Sequence, residues 1–252
     1  MLYLIGIGLK PSHLTIEAKE ALQKCDEIYL EEYTSQYSQG HLDELKQIIE
    51  KEFKVINRIE TEESLPEKLM IAKDKNIALM IFGNALTATT HIQFLLDAKE
   101  KGIKIKIIPG ISITNYIAES GLDEYKFGRT VTICYQLDNF KPESFYHQIK
   151  ENQKNGLHTL CLLDIKKDQS PTRLMNCKEA IEIINEIEKR HNEENNFNYI
   201  GLVCMGSDNQ KIIIGKEKII NSCEVEKLYP QTLIISGKIN EKEKECLENL
   251  YN

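Results

Sequence analysis

Short apolar runs alternate with amphipathic segments along the first half of the chain, and this alternation constrains the fold more than any single motif. A strand, a helix and a second strand in succession are typical of parallel sheets that are covered by helices. We therefore expect a doubly wound parallel sheet. The predicted strands are Leu2–Ile7, Glu27–Leu30, Lys54–Asn57, Ile77–Phe82 and Ile103–Ile108, and the predicted helices are Ile16–Lys24, Leu42–Glu50, Leu65–Lys73 and Thr90–Lys101.

The second half of the chain departs from this alternation. Only five residues separate the apolar runs 199–205 and 211–214, too few for a helical crossover, which favours an antiparallel pair. We therefore predict an α/β protein of two α/β domains, with a parallel doubly wound sheet in residues 1–110 and a mixed sheet in residues 111–252. The predicted elements of the second half are strands Val131–Tyr135, Leu160–Ile165, Tyr199–Met205, Lys211–Ile214 and Thr232–Ser236, and helix Glu179–Lys189.

Composition excludes several classes of protein. The net charge is −7, whereas nucleic-acid-binding proteins normally present a basic face, so no direct nucleic-acid partner is expected. No apolar run approaches the roughly 20 residues that span a bilayer, and the amino terminus lacks the pattern of a secretory signal. The seven cysteines are scattered without a CxxC pair, which favours a reducing compartment over disulfides or zinc. We expect a cytoplasmic protein without a membrane partner or a metal site.

The opening stretch, MLYLIGIGLKPSHLT, carries Gly6 and Gly8 at the end of the first predicted strand. Glycine lets a backbone approach a ligand closely, and Glu31 stands about where a dinucleotide-binding fingerprint places its ribose-binding acid. A nicotinamide-dependent oxidoreductase is therefore one hypothesis. Pro11 occupies the place of the third glycine and removes an amide donor, which disfavours a pyrophosphate in this turn. A tight turn without any ligand is the other alternative.

Two further predicted strands end in turns of small and hydroxyl residues, IFGNALTATTH at 81–91 and IIPGISITNYIAESGL at 107–122. Ligands bind at the carboxyl ends of strands in doubly wound sheets, so these turns and the first one predict a single crevice. Helix capping by Thr89 or Thr90 is an alternative explanation for either threonine. Ser112 stands at the start of another predicted helix. The modest polarity of the turns suits an uncharged or zwitterionic ligand better than a triphosphate.

No sequence pattern identifies a catalytic residue. The six histidines show no metal-ligand spacing, and the chain contains no GxSxG, HExxH or P-loop sequence. The nucleophile and any general base are therefore left unassigned, and each histidine is interpreted as structural or solvated.

Five motifs spread over the chain carry a family resemblance. They are LYLIGIGL at 2–9, CDEIYLEEYTS at 25–35, ATTH at 88–91, EYKFGRT at 124–130 and GLHTLCLLDIK at 156–166. Through them the chain resembles the diphthine synthases, which belong to the tetrapyrrole methylase-like (class III) methyltransferases. Related porphyrin-ring methylases share the first turn but not ATTH together with YKFG and HTLxLLDI, so the combination is specific.

The resemblance implies two α/β domains with S-adenosylmethionine in the cleft between them, and a homodimer. It also implies the substrate, an aminocarboxypropyl group attached to a histidine of translation elongation factor 2. Archaeal members stop at a trimethylated nitrogen, whereas eukaryotic members add a fourth methyl to the carboxylate, and composition favours the second product, diphthine methyl ester. By matching position, the cofactor-binding residues would be Leu9, Asn84, Thr87, Ser112, Ile113, Leu163, Met205 and Gln231.

Two positions depart from the family pattern. Gly83, Asn84 and Ala85 stand where the family usually has Gly-Asp-Pro, and Gln231 stands where a related protein offers histidine. Asn84 can still form hydrogen bonds but brings no charge, and no proline fixes the backbone after it. A third hypothesis is therefore a catalytically impaired module that binds S-adenosylmethionine without transferring its methyl group.

Overall fold

The computed structural model describes residues 1–61, 65, 67, 70–167 and 170–251. The chain forms two compact units, one of Met1–Thr114 with Lys166–Thr172 and the other of Asn115–Ile165 with Arg173–Asn252. The predicted domain division between residues 110 and 111 stays a prediction. The return of Lys166–Thr172 to the first unit has no counterpart in the sequence pattern.

The first unit is built on five parallel strands. Its strands are β1 (Leu2–Gly6), β2 (Glu27–Glu31), β3 (Lys54–Ile56), β4 (Ile77–Ile81) and β5 (Ile105–Ile108), and its helices are α1 (Ile16–Gln23), α2 (Leu42–Ile49) and α3 (Ile92–Glu100). The strand order is β3-β2-β4-β1-β5, and every pair is parallel. The predicted parallel sheet is confirmed.

Both faces of this sheet are buried, because successive side chains of a strand point to opposite faces. In β1, Ile5 packs in one cluster with Leu22 of α1 and Leu45 of α2. Its neighbour Leu4 packs in another cluster with Phe94 of α3. Helices therefore cover both faces, which is the predicted doubly wound arrangement.

Local capping residues set several helix boundaries in the first unit. Thr15 is the predicted N-cap of α1, and its hydroxyl accepts a hydrogen bond from the N–H of Ala18 at 3.1 Å. At α2 the Glu44 carboxylate accepts from the N–H of His41 at 3.1 Å, as in a capping box. Gly102 follows α3 with a φ of +68°, which confirms the predicted left-handed helix stop.

The second unit is built on a mixed sheet. Its elements are β6 (Val131–Ile133), α4 (Ser144–Lys154), β7 (Thr159–Leu163), α5 (Cys177–His191), β10 (Asn198–Val203), β11 (Lys211–Ile214), α6 (Lys216–Asn221), β12 (Gln231–Ser236) and α7 (Glu241–Leu250), and a short ribbon pairs β8 (Ile165–Lys166) with β9 (Arg173–Leu174). The sheet order is β11-β10-β12-β7-β6, with β6 and β7 parallel and the other pairs antiparallel. The predicted mixed sheet and the antiparallel β10–β11 pair are both confirmed.

The structure corrects three predicted helix features. The segment after Ser112 is a 3-10 helix, Ile113–Ser120, and not an α-helix. Helix α3 begins at Ile92 with His91 at its N-cap position, so the interpretation of Thr89 or Thr90 as its cap is wrong. Residues 66, 68 and 69 of the predicted helix 65–73 lie outside the described residues, and Met70–Lys73 form a 3-10 turn. Helices α4, α6 and α7 were not predicted.

Three structural observations bear on membrane and metal binding. No helix in the described part of the chain is both long enough and apolar enough to cross a membrane. Within the same residues, no three histidine, cysteine, aspartate or glutamate side chains gather to hold a metal ion. The seven cysteines are free thiols.

Candidate functional site

Three turns touch at one edge of the first sheet, because β4, β1 and β5 are parallel neighbours. A β carbon on Gly6 would lie 2.6 Å from the Gly83 carbonyl oxygen and 2.6 Å from the Gly110 nitrogen. A β carbon on Gly110 would lie 2.3 Å from the same Gly83 oxygen. Only glycine fits at Gly6 and Gly110, since these neighbours are backbone atoms that have no side-chain freedom to move aside.

The first turn holds Leu9 in place through its backbone. Gly8 has a φ of +78°, and its N–H and carbonyl exchange hydrogen bonds with Gly83 at 3.1 and 2.9 Å. The Leu9 N–H donates to Nδ1 of His13 at 3.3 Å. The Leu9 carbonyl accepts from the N–H and the hydroxyl of Ser38 at 2.8 and 2.9 Å. Both backbone polar groups of Leu9 are thus bonded within the unit, and its side chain is the part left for a ligand.

The chain path after this turn does not support a dinucleotide. A dinucleotide-binding turn leads directly into a helix whose first N–H groups face the pyrophosphate. Here the 3-10 turn Pro11–His13 follows, and α1 begins only at Ile16. Glu31 is 0% exposed and pairs with His91, so its carboxylate is not available to a ribose. The oxidoreductase hypothesis is therefore not supported.

The segment 84–91, called here the β4–α3 loop, is fixed by its own hydrogen bonds. The Thr87 N–H donates to the Asn84 carbonyl at 3.1 Å. The buried Ala85 carbonyl accepts from the Thr89 hydroxyl at 3.1 Å and faces Nδ1 of His91 at 3.2 Å. Within the described part of the chain, the Asn84 amide and the Thr87 hydroxyl have no hydrogen-bond partner. The loop therefore presents two uncharged polar groups on a fixed backbone.

A buried His–Glu pair supports the β4–α3 loop. Nε2 of His91 lies 2.6 Å from Oε2 of Glu31, and the two side chains are 2% and 0% exposed. Oε1 of Glu31 accepts from the N–H of Thr34 at 3.2 Å and from the Thr34 hydroxyl. Because Glu31 ends β2, the neighbour of β4, the pair ties the end of one strand to the loop that follows the next.

Two acceptors compete for the N–H of a neutral His91. Nδ1 faces the Ala85 carbonyl and Nε2 faces the Glu31 carboxylate. A neutral imidazole has a single N–H, so the tautomer that serves Ala85 would leave Oε2 of Glu31 without a donor. The other tautomer serves Glu31 and leaves the Ala85 carbonyl to the Thr89 hydroxyl.

The third turn carries Ser112 and Ile113. Ser112 is 5% exposed, and its hydroxyl lies 2.7 Å from the Thr114 hydroxyl. A β carbon on Gly83 would lie 3.5 Å from Cβ of Ser112, so the second and third turns are in contact range. Ile113 begins the 3-10 segment that follows. The five predicted residues of the first unit therefore follow three adjacent strands at one edge of the sheet.

The predicted residues of the second unit lie at one end of its sheet. Leu163 ends β7, and the antiparallel register of β12 with β7 places Gln231 beside it. On its other side Gln231 pairs with Val203 at the end of β10. Met205 follows Val203 by two residues. The side chains of the three predicted residues, Leu163, Met205 and Gln231, are all buried.

The Gln231 side chain is used within the fold. Its Oε1 accepts from the N–H of Cys177 at 2.8 Å. Its Nε2 donates to the carbonyls of Val225 and Leu228 at 2.7 and 2.9 Å. No amide N–H of Gln231 is left, so the side chain has no donor to offer a cofactor. Its role in cofactor binding stays a prediction, as do the roles of the other seven residues.

A second buried His–Glu pair lies in the second unit. Nδ1 of His158 accepts from the N–H of Gly237 at 2.9 Å, so the proton is on Nε2, which donates to Oε1 of Glu243 at 2.9 Å. Burial lowers the pKa of His158, which stays neutral. Burial alone would raise the pKa of Glu243, but hydrogen bonds, first among them those from Lys126 and the Asn240 backbone, lower it to about 2.

Sequence reasoning missed the role of the Glu31–His91 pair. It treated His91 as structural or solvated and offered Glu31 as a ribose-binding acid. The two residues stand in separate motifs, CDEIYLEEYTS and ATTH, and only the adjacency of β2 and β4 brings them together. The sequence offered one signal for this pair: Glu31 and His91 both belong to motifs that carry the family resemblance.

Known proteins match the chain over nearly its full length. The family model of the tetrapyrrole (corrin/porphyrin) methylases matches residues 1–220. The diphthine synthase of Methanocaldococcus jannaschii is 34% identical, over 99% of this chain and 98% of its own. The human diphthine methyl ester synthase is 34% identical, over 98% of this chain and 94% of its own. A crystal structure of a diphthine synthase is 25% identical and has a TM-score of 0.86, over 100% of this chain and 96% of its own.

The solved structure agrees with the fold described above. The family model covers most of the chain, and the relatives exceed 30% identity over nearly all of it. The chain therefore belongs to the tetrapyrrole methylase family of methyltransferases, in its diphthine synthase group.

Proposed function

We propose that this protein uses S-adenosylmethionine to methylate the aminocarboxypropyl group on the modified histidine of translation elongation factor 2, a step of diphthamide biosynthesis. The observation that carries the proposal is the similarity to proteins named for the synthesis of diphthine, 34% identity over nearly the whole of both chains. The substrate and cofactor come to this chain through that similarity, and the geometry of the first unit supports them.

The donor set at the sheet edge fits the cofactor. S-adenosylmethionine, when bound, supplies a methyl group that its positively charged sulfur has already activated. A site for it needs apolar surface and uncharged polar groups more than a strong acid or a phosphate-binding nest. The Leu9 side chain offers the first. The Asn84 amide and the Thr87 hydroxyl, which have no hydrogen-bond partner among the described residues, offer the second. The residues proposed to hold it are Leu9, Asn84, Thr87, Ser112 and Ile113 in the first unit and Leu163, Met205 and Gln231 in the second.

The residues of the chain act by positioning in this proposal. An activated methyl group needs an acceptor nitrogen in line with it and little water nearby, and such orientation alone accounts for a large part of a rate enhancement. The β4–α3 loop is held by hydrogen bonds to Ala85 and by the Glu31–His91 pair, so its polar groups are pre-oriented. No residue is assigned as the general base that takes the proton from the acceptor amine.

The number of methyl groups separates two versions of the reaction. We propose transfer of four, with the last on the carboxylate, because composition favours the eukaryote-like product. Relatives of both kinds match at the same 34% identity, a diphthine synthase from an archaeon and a diphthine methyl ester synthase from human. Three transferred methyl groups would assign the archaeal version instead.

We further propose that the protein works in the cytoplasm as a homodimer. The full-length similarity to diphthine synthases supports the dimer, and seven free cysteines agree with a reducing compartment. Sedimentation velocity at micromolar concentration tests the dimer, and a single species of 29.1 kDa would contradict it.

Mass spectrometry tests the function directly. Elongation factor 2 that carries the unmethylated aminocarboxypropyl group is incubated with the protein and S-adenosylmethionine, and its modified peptide is weighed. We expect a shift equal to four methyl groups, and none without the cofactor. Calorimetry with S-adenosylmethionine and S-adenosylhomocysteine accompanies the assay. Binding without transfer would mean the impaired module, and no binding at millimolar cofactor would exclude the methyltransferase.

A further inference from the structure

A cavity of about 350 Å³ lies in the first unit, next to the candidate site. It opens at the carboxyl ends of β2 and β3, where Glu32, Tyr33, Ile56 and Asn57 line it. Lys167, from the segment that returns to this unit, completes the wall. None of these residues belongs to the set proposed to hold the cofactor.

The Lys167 ammonium is poorly satisfied for its burial. Its side chain is 17% exposed, and Nζ lies 3.8 Å from Oε1 of Glu32. A charge-assisted hydrogen bond to a carboxylate is about 1 Å shorter. Its other neighbour is the Phe82 ring, whose centroid is 5.9 Å from Nζ. Burial lowers the pKa of Lys167, because removing a cation from water is unfavourable.

Other lysines of the same unit differ from Lys167. Nζ of Lys54 lies 2.7 Å from Glu60, and Nζ of Lys106 lies 2.6 Å from Glu17. Both are more exposed than Lys167, at 55% and 48%, and have less need of a close partner. The least exposed of the three cations is therefore the one with the longest ion pair, as expected for a group that receives its acceptor from a ligand.

Two residues, Glu32 and Phe82, connect the surroundings of Lys167 to the candidate site. Glu32 directly follows Glu31, the partner of His91 in the pair that holds the β4–α3 loop. Phe82, beside the Lys167 ammonium, directly precedes Gly83 and the loop itself. A ligand on Lys167 would therefore lie near the Phe82 ring, one residue before the turn that leads into the β4–α3 loop.

We propose that this cavity binds an α-amino-acid head group, with its carboxylate on Lys167 and its amino group on Glu32. The two side chains present opposite charges 3.8 Å apart, an arrangement complementary to a zwitterion. Glu32 has a side chain that is 47% exposed, so it can turn from Lys167 toward a ligand amine. Its carboxylate also stabilises the positive charge that a nitrogen acquires on full methylation.

The inference rests on the proposed function, which offers two sources of this head group. One is the aminocarboxypropyl group of the acceptor, and the other is the methionine part of the cofactor. Both carry an amino group and a carboxylate on one carbon. Separate measurements of cofactor affinity and acceptor KM distinguish them.

The test compares Lys167→Met with Lys167→Arg and Lys106→Met. Methionine keeps the length and apolar character of the side chain but removes the ammonium, whereas arginine keeps the charge. Lys106→Met removes the same charge from an ion pair on the surface of the same unit. Loss of a charged hydrogen bond lowers affinity about 10- to 100-fold. We expect Lys167→Met to show this loss, Lys167→Arg to recover most of it, and Lys106→Met to match the wild type.

The site of the loss identifies the source of the head group. A higher KM for the acceptor with an unchanged cofactor Kd in calorimetry assigns the acceptor, and the reverse assigns the cofactor. If the wild type transfers methyl groups and Lys167→Met changes neither value, the inference is wrong. If the wild type neither binds cofactor nor transfers methyl, the proposed function itself fails. Glu32→Gln gives the same readouts should Lys167→Met lower the melting temperature.

Discussion

The two buried His–Glu pairs, one in each unit, contain the same residue types and differ in what faces the second ring nitrogen of the histidine. In the first, both nitrogens of His91 face acceptors, the Ala85 carbonyl and the Glu31 carboxylate. In the second, Nδ1 of His158 faces the Gly237 N–H, so the imidazole is neutral and Glu243 remains ionised. A neutral imidazole therefore satisfies both partners in the second pair but only one of the two acceptors in the first.

This difference follows from the positions of the pairs. The first lies between β2 and the β4–α3 loop, where one imidazole bridges a carbonyl of the loop and a carboxylate on the strand end. The second lies near the start of α7, where Glu243 also belongs to a capping box with Asn240. The first pair can therefore support a ligand-binding loop, whereas the second holds α7 on the second unit.

The substitution Glu243→Gln should have the largest effect. The carboxylate accepts from the Lys126 ammonium, from the N–H groups of Asp123 and Asn240, and from His158. A glutamine amide would turn its NH₂ group toward two of these donors and leave Lys126 without its counter-charge. We expect the free energy of unfolding, measured with urea, to fall by about 3–5 kcal/mol.

The matched control is Glu245→Gln, two residues away on the same helix. Glu245 pairs with Lys242 on the surface, and both side chains are more than 60% exposed. Its substitution should change stability by less than about 0.5 kcal/mol. Equal losses in the two variants would mean that Glu243 is no more important than a surface carboxylate.

Removal of the Glu31 carboxylate from the first pair should have the second-largest effect on stability. Glu31→Ala leaves Nε2 of His91 and the Thr34 N–H buried without their acceptor, which costs about 2–4 kcal/mol. The β4–α3 loop also loses its attachment to β2. We therefore expect the affinity for S-adenosylmethionine, measured by calorimetry, to fall about tenfold.

Glu31→Gln should behave quite differently from Glu243→Gln. A neutral His91 can donate from Nδ1 to Ala85 and accept at Nε2 from the glutamine NH₂, while the glutamine oxygen still serves Thr34. Every group is then satisfied, and we expect a loss of less than about 1 kcal/mol with cofactor affinity within twofold of the wild type. If Glu31→Gln and Glu243→Gln lowered the free energy of unfolding by equal amounts, the distinction between the two pairs would be wrong.

The pH dependence of stability should come from the second pair. Burial lowers the folded-state pKa of His158 below its ordinary 6.5, so the unfolded chain binds the proton more readily. His158 therefore contributes stability that is present above about pH 6.5 and is lost as the pH falls. Glu243, with a pKa lowered from 4.5 to about 2, adds a second loss between those values.

His158→Gln isolates the upper part of this range. A glutamine oxygen can accept from Gly237 and its NH₂ can donate to Glu243, so the contacts remain while the titrating group is gone. Between pH 7 and pH 5 we expect the wild type to lose up to about 2 kcal/mol more than the variant. Parallel urea-unfolding curves at both pH values would show that His158 does not titrate on unfolding.

The sequence predicts the sheets better than the site. Strands such as 77–81 are continuous apolar runs between polar segments, and their type follows from hydrophobic pattern alone. The β4–α3 loop shows the limit of such reasoning, since a Thr-rich stretch before a helix indicates capping. The structure instead has Thr89 bonded back to Ala85, and His91 at the cap position with its ring turned toward Glu31.

The Glu31–His91 and Lys167–Glu32 contacts could not be predicted because they join residues that are distant in sequence. Periodicity and spacing report on neighbours along a helix or strand, whereas these pairs depend on strand order and on the return of 166–172 to the first unit. The turns at the sheet edge were easier to predict, because a close approach of two backbones requires glycine and the glycines are visible in the sequence.

The smallest expected effect concerns the loop that the first pair holds. Asn84→Asp introduces the acid that the family resemblance predicts after Gly83, and its carboxylate would face a positively charged cofactor. An exposed ion pair is weak, so we expect the cofactor Kd in calorimetry to fall by only about threefold, with the melting temperature unchanged.

Because this gain in affinity depends on a fixed loop, it should disappear in the Glu31→Ala background and persist in the Glu31→Gln background. The same gain in all three backgrounds would mean that the Glu31–His91 pair does not position Asn84, and an unchanged Kd in the wild type would mean that Asn84 is not a weakness of the site.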